Sequence, residues 1–209
     1  MKFYDCATAP SPRRVRIFLA EKGIAVPTVQ VDLRGGEHLK PAFRAINPEA
    51  TVPVLELDSG VHITDAVAIC QYFEDVRPEP PLLGIGPEER ALVTAWQRRI
   101  ERDGFYAMME GFRNATPGLK NRALPGPVDY AQIPALAERG RARVAEFFAM
   151  LDGHLADRQF IAGAGYSIAD ITAQITLDWA KWVKLQPAES CRHLWRWHAA
   201  VAARPSAAA

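Results

Sequence analysis

Cysteine is scarce. Cys6, Cys70 and Cys191 are the only three in 209 residues, odd in number and far apart, which excludes a disulfide framework and a CxxC metal site. Each is expected to be a reduced thiol acting as a small apolar side chain. Net charge is nearly absent as well: 25 Lys and Arg stand against 24 Asp and Glu. No global field would therefore draw the chain to nucleic acid or to an anionic membrane. Nowhere is there an apolar run of the ~18 residues that a membrane span needs, and the stretch Met1–Cys6 has no apolar run behind a basic start. The expectation is a cytoplasmic protein with small or neutral partners. What the chain does have is 49% hydrophobic and 23% charged residues, the balance of a folded globular protein.

Punctuation by proline and glycine divides the chain. Residues 2–5 and 27–33 are short and rich in β-formers, with a helical stretch from Pro12 to Lys22 between them. Ser11 is the expected N-cap, Pro12 sits at the first helical position, and Gly23 is the stop. The unit is βαβ, so its strands should be parallel. A second helix is expected over Glu37–Ile46, closed by Asn47-Pro48, followed by a strand over Val52–Leu57 with a proline at its start, where proline belongs. Asp58-Ser59-Gly60 turns the chain into Val61–Ile63, giving an antiparallel hairpin, and Thr64 is the expected cap of a helix running to Asp75. The first half reads β-α-β-α-β-β-α.

Between Arg77 and Pro87 stand Pro78, Pro80, Pro81 and Pro87 with Gly84 and Gly86, too many breakers for a helix or strand interior. The expected division is therefore 1–76, a linker at 77–87, and an all-helical domain at 88–209. Helices are expected over Pro87–Arg113, Ala135–Leu155, Ser167–Lys181 and Glu189–Ala203, with residues 117–134 as an irregular break. Ser167 and Asp170 have capping-box spacing.

With this order in hand, the chain resembles the cytosolic glutathione transferases over nearly its whole length. The segments Ser11–Ile24, Gly36–Pro41, Asn47–Val54, Ile63–Phe73 and Ser167–Asp170 carry the likeness, and their order and spacing are more specific than any one of them. The resemblance implies an α/β thioredoxin-like first domain that binds glutathione and an all-α helical-bundle second domain that binds the other substrate. It implies glutathione as a substrate, no metal and a homodimer, with linker-proximal helices at its interface.

For the site residues the resemblance implies several roles. Pro53 follows a cis bond, and Val52 offers its backbone N–H and C=O to the cysteinyl part of glutathione. Asp65 holds the substrate's ammonium group. Ala66 stands where relatives carry serine, so only its N–H is left for the γ-glutamyl carboxylate, at a helix start suited to an anion. His38 and Lys40 lie on the segment that in relatives reaches the glycyl carboxylate.

Thiol activation is the open question. A thiol with pKa about 8.5 must become a thiolate near neutral pH, which calls for a donor beside the sulfur. The position used by serine- and cysteine-type relatives is Ala9, which cannot donate. A branch of bacterial relatives uses the position two later, often asparagine, and Ser11 occupies it; Ser11 is the expected catalytic residue, although its place before a helix would suit a plain N-cap equally. Tyr4 falls in the first strand and is expected in the core, so the site is read as serine/asparagine-type rather than tyrosine-type. Phe105, Tyr106, Met109 and Phe112 are the expected electrophile pocket, the alternative being a core stripe at helical spacing. Trp179, Trp182, Trp195 and Trp197 are expected in the helical core or at its rim. The expected activity is addition of the glutathione thiolate to a hydrophobic electrophile, in the sense of detoxification. Glutathione-dependent disulfide or peroxide reduction remains an alternative, as does a binding or regulatory protein without catalysis.

Overall fold

The computed structural model describes residues 1–209, which fall into two compact units, Met1–Pro80 with Pro125–Val128 and Ala209, and Pro81–Leu124 with Asp129–Ala208.

The first unit contains β1 (Lys2–Asp5), α1 (Pro10–Glu21), β2 (Thr28–Gln30), a 3-10 turn (Glu37–Leu39), α2 (Pro41–Arg44), β3 (Val54–Glu56), β4 (His62–Ile63) and α3 (Ala66–Val76). The sheet order is β2-β1-β3-β4. β1 pairs with β2 in parallel and with β3 antiparallel, Tyr4 facing Val29 on one side and Val54 on the other. β3 and β4 form the expected antiparallel hairpin, Leu55 opposite Ile63.

Because side chains alternate along a strand, Tyr4 and Val54 join Val31 and Phe43 in a cluster that also takes in Leu33, Ile46 and Val52. The Tyr4 ring meets Phe43 edge-on, their centroids 6.2 Å apart. α1 and α3 pack against each other. Across that pair the fully buried Lys22 ammonium meets Glu74 at 2.7 Å and donates to the carbonyls of Arg77 and Pro80 at 2.7 and 2.8 Å. Such a pair fixes where the two helices end; removing one partner would strand a buried charge.

Several boundaries differ from expectation. α1 begins two residues earlier, with Ala9 as N-cap and Pro10 first, so Ser11 is not the cap but the second helical residue. Two good helix starters, Pro10 and Pro12, lie in succession, and the chain uses the first. Asp65, not Thr64, caps α3. The helix expected over 37–46 is split where Lys40 is extended before Pro41, since a residue before proline avoids the helical region. β2 and β3 are three residues each, shorter than expected. Val52-Pro53 is cis as the resemblance implies; the cis bond at Glu79-Pro80 had no forewarning in the sequence.

The second unit holds α4 (Gly86–Ile100), α5 (Tyr106–Ala115), α6 (Pro134–His154), α7 (Ile168–Ala180) and α8 (Arg192–Ala202). The helix expected over 87–113 is interrupted by a wider π-turn at Glu101–Phe105. At Gly104 in that turn a Cβ would lie 2.6 Å from the Phe147 ring, so only glycine admits α6 there. Gly111 and Gly140 let α5 and α6 cross with backbones touching: a Cβ on Gly140 would sit 2.4 Å from the Gly111 nitrogen. α7 is the central helix, all but one of its thirteen residues buried. α8 starts three residues later than expected, at Arg192. No helix is long and apolar enough to cross a membrane.

Candidate active site

Strand directions alone gather the candidate residues of the first unit. β1 and β2 run in parallel and β3 runs back, so the ends of β1 and β2 and the start of β3 share one edge of the sheet. β4, antiparallel to β3, ends at that edge too. From this edge leave the loop into α1 with Ser11, the segment bearing His38 and Lys40, the Val52-Pro53 step and the start of α3 at Asp65-Ala66. Four expected elements of a peptide-binding site are thus brought to one place.

Each is held there by specific bonds. Asp5, buried at the end of β1, takes Arg16 at 2.6 Å and the Gln30 amide at 2.7 Å. Gln30 in turn accepts from the Ala7 N–H at 2.9 Å, and Arg16 donates to the Ala7 carbonyl at 2.9 Å. This pins the Cys6–Ala9 loop that delivers α1. Before the cis proline, the buried Asn47 amide donates to the Thr51 carbonyl at 2.9 Å and to its hydroxyl at 3.0 Å, and accepts from the Glu49 N–H at 3.1 Å. Val52, half-buried, makes no backbone hydrogen bond within the chain, so its N–H and C=O remain for a partner strand.

At α3 one carboxylate oxygen of Asp65 accepts from the N–H groups of Val67 and Ala68, both at 2.9 Å. The other oxygen makes no hydrogen bond, and neither does the Ala66 N–H. Asp65 is exposed and Ala66 buried. The helix start therefore offers a cation an anionic oxygen and a carboxylate one donor, side by side.

At α1 the first and third helical residues are Pro10 and Pro12, which have no N–H, so the Ser11 N–H is the single free donor of the first turn. The Ser11 hydroxyl accepts from the buried Arg14 guanidinium at 2.9 Å. That leaves the hydroxyl proton to donate, and the adjoining cation strengthens it as a donor. Arg14 went unrecognised in the sequence because an arginine in a helix reads as solvent-facing; only its place three residues after Ser11 hinted at contact.

Tyr4 cannot serve the thiol. It is in the core, its hydroxyl donates to Glu56 at 2.6 Å, and burial together with that carboxylate pushes its pKa up to about 12. Cys70 is wholly buried, its thiol pushed upward by burial, and Cys191 is buried too; Cys6 is half-buried with its sulfur 3.5 Å from the Thr8 hydroxyl. His38 is half-buried in the 3-10 turn and Lys40 exposed beside it.

In the helical unit the four aromatic and methionine candidates part company. Phe105 is buried against Trp179, centroids 5.4 Å apart, and belongs to the core. Phe112, half-buried, lies between Trp179 at 5.5 Å and the exposed Trp182 at 6.2 Å. Tyr106 is 43% exposed and Met109 half-buried, which makes them the surface part of the set. Trp197 and Trp179 are core, Trp182 rim.

The four-stranded sheet with a cis proline at its edge and two helix starts with spare donors, followed by a separate all-helical unit, is a thioredoxin-like α/β domain joined to a helical one. The family model for the glutathione S-transferase N-terminal domain matches residues 8–76, and that for the C-terminal domain residues 106–205. Glutathione S-transferase 2 of Saccharomyces cerevisiae is 38% identical over 99% of this chain and 87% of its own. Among solved structures, a glutathione S-transferase domain-containing protein of Marinobacter aquaeolei VT8 superimposes with a TM-score of 0.91 at 42% identity, covering 99% of both chains. Gtt2 from Saccharomyces cerevisiae does so with a TM-score of 0.90 at 38% identity, over 99% of this chain and 98% of that one. The chain belongs to the glutathione S-transferase family.

Proposed function

We propose that the protein is a cytoplasmic glutathione transferase of serine type, in which Ser11 stabilises the glutathione thiolate for attack on a hydrophobic electrophile. The observation that carries this is the set of spare groups at one sheet edge: the Val52 N–H and C=O, the second oxygen of Asp65, the Ala66 N–H, and the Ser11 N–H and hydroxyl. Each matches one part of glutathione. Val52 pairs with the cysteinyl backbone beside Pro53, Asp65 holds the γ-glutamyl ammonium and Ala66 N–H its carboxylate, and His38 and the Lys40 cation serve the glycyl carboxylate.

The Ser11 hydroxyl, already accepting from Arg14, donates to the sulfur and favours the thiolate over the thiol. The thiol's proton goes to solvent, and the sulfur's electron pair forms the bond to the electrophilic carbon as the electrophile's π bond opens or its leaving group departs with its bonding pair; no protein-bound intermediate is needed. Within the helical domain we assign the electrophile to the face bearing Tyr106, Met109 and Phe112, with Phe105 supporting it from the core. The division of labour follows residues 1–76 and 88–209, with 77–87 as linker. Ile85 and Leu92, 69% and 51% exposed near the start of α4, support a homodimer interface there.

Calorimetric titration of glutathione into the wild type and Ser11→Ala, with thiolate absorbance followed against pH, tests this. The expected result is saturable binding to both proteins, with the bound thiol's pKa higher in Ser11→Ala. Binding with an unchanged thiol pKa would remove Ser11 from the chemistry. Absence of binding at millimolar glutathione would favour the regulatory reading, to which Ala9 and Ala66 lend themselves, and turnover of disulfides alone would favour the reductase.

A further inference from the structure

Arg113 is the one cation of the helical unit whose surroundings do not account for it. It is half-buried near the end of α5, and burial and the neighbouring Arg122 both depress its pKa, with no carboxylate acting against them. Its one hydrogen bond runs from Nη2 to the Leu124 carbonyl at 3.0 Å, while Nε is buried without a partner. Glu110, three residues before it on the same helix, is held by Arg139 at 2.6 and 3.0 Å instead.

Nor is the cation needed to satisfy the helix end. The Phe112 carbonyl takes the Thr116 N–H and hydroxyl, the Glu110 carbonyl takes the Asn114 amide, and the Arg113 and Thr116 carbonyls take the Gln132 amide at 2.7 and 2.8 Å. Arg122 is set beside Arg113 by a closed loop: the Tyr130 N–H donates to the Asn121 carbonyl at 2.9 Å and the Ala123 N–H to the Tyr130 carbonyl at 3.1 Å. Asp129 takes up Arg122 at 3.1 Å, which leaves Arg113 uncompensated. An unpaired, partly desolvated guanidinium is costly unless something neutralises it.

Helical spacing locates the missing anion. Arg113 lies seven residues after Tyr106 and four after Met109, hence on one face of α5 with them. We propose that Arg113, with Arg122 beside it, is an anion subsite at the end of that face, so that the helical unit takes apolar ligands carrying a carboxylate or sulfonate. As the substrate class of the transferase, this rests on the assignment of the same face to the electrophile; as a binding site it does not.

Fluorescence titration with 1-anilinonaphthalene-8-sulfonate, and with neutral N-phenyl-1-naphthylamine of the same ring system, separates the two. In Arg113→Gln the sulfonate should bind roughly tenfold more weakly and the neutral probe within about twofold of wild type, as for loss of one charge-assisted hydrogen bond; Arg113→Lys should recover part of the loss. Equal weakening of both probes would mean that Arg113 only holds Leu124 in place, and an unaffected sulfonate would equally overturn the subsite. With glutathione, displacement of chloride from 4-chloro-3-nitrobenzoate should show a KM raised about tenfold in Arg113→Gln at unchanged kcat, and 1-chloro-2,4-dinitrobenzene neither change. If neither chloroarene turns over while the sulfonate discrimination holds, the transferase assignment fails and the anion subsite stands.

Discussion

The starts of α3 and α7 are built from the same parts and differ in what is left over. Each has an aspartate in or just before its first turn. Asp65 is exposed and spends one oxygen on two backbone N–H groups, leaving the other oxygen and the Ala66 N–H unused. Asp170 is wholly buried and accepts from the Ile161 N–H at 3.0 Å, the Ser167 N–H and hydroxyl at 3.1 Å, and the Trp197 indole at 2.9 Å. The second helix start is closed and ties α7 to α8 and to the 161–167 segment; the first is open and can take a ligand. Residue type and helix position do not separate a carboxylate whose bonding capacity is spent within the fold from one with capacity left for a ligand.

The largest test of that contrast is Asp170→Ala, which strands four buried donors. Global stability should fall by about 4 kcal/mol, read by denaturant melts, while the folded fraction keeps its glutathione affinity. Loss of affinity in proportion to stability would mean that the two sites are not separable.

The next test is pH. Burial outweighs the four donors and pushes Asp170 up to about 6 from 3.8. A native pKa above the unfolded value means that the native state binds the proton more tightly. The contribution is therefore complete below about pH 4 and lost as pH rises through about 6, about 3 kcal/mol in all. Melts of the wild type against Asp170→Asn across pH 4 to 7 should show this fall in wild type only.

Asp65→Asn keeps an acceptor for Val67 and Ala68 but removes the charge that the proposed function assigns to the ammonium group. Glutathione affinity should drop about tenfold or more with little change in melting temperature. Asp65→Ala should show the same binding loss and in addition lose about 1 kcal/mol of stability. The smallest effect is a gain: Ala66→Ser restores the hydroxyl common in relatives and should tighten glutathione by up to about tenfold in calorimetry. No gain would mean that the buried Ala66 position has no room to turn a hydroxyl toward the ligand.

Legibility in the sequence follows the same line. Element order was readable because proline, glycine and Asn-Pro mark nearly every junction, as at Gly23, Asn47-Pro48 and the turn at 58–60. Helix starts were misplaced by one or two residues where two adequate signals adjoin, Pro10 with Pro12 and Thr64 with Asp65, because local chemistry permits either and packing decides. The backbone candidates for the site, Val52-Pro53 and the start of α3, are proposed through family likeness, and they lie where the sheet directions converge. What stayed hidden were partnerships across sequence or against type: Arg14 on Ser11, the Asp5–Arg16–Gln30 set, and Arg113 without a counter-ion. A charged residue at helical spacing looks like solvent-facing surface until its neighbours are known.

The two prolines around Ser11 also decide which anions the start of α1 will refuse. Three N–H groups converging from a helix start make a cradle for a small, hard oxyanion such as phosphate. Here the first and third are deleted and one remains, with a hydroxyl next to it. A large, polarisable sulfur asks for little more than one donor, whereas phosphate or sulfate would lose most of its coordination. On the proposed assignment of the thiolate to Ser11, the Pro-Ser-Pro start works as a sieve by hardness, disfavouring there the inorganic anions that the same helix dipole would otherwise attract.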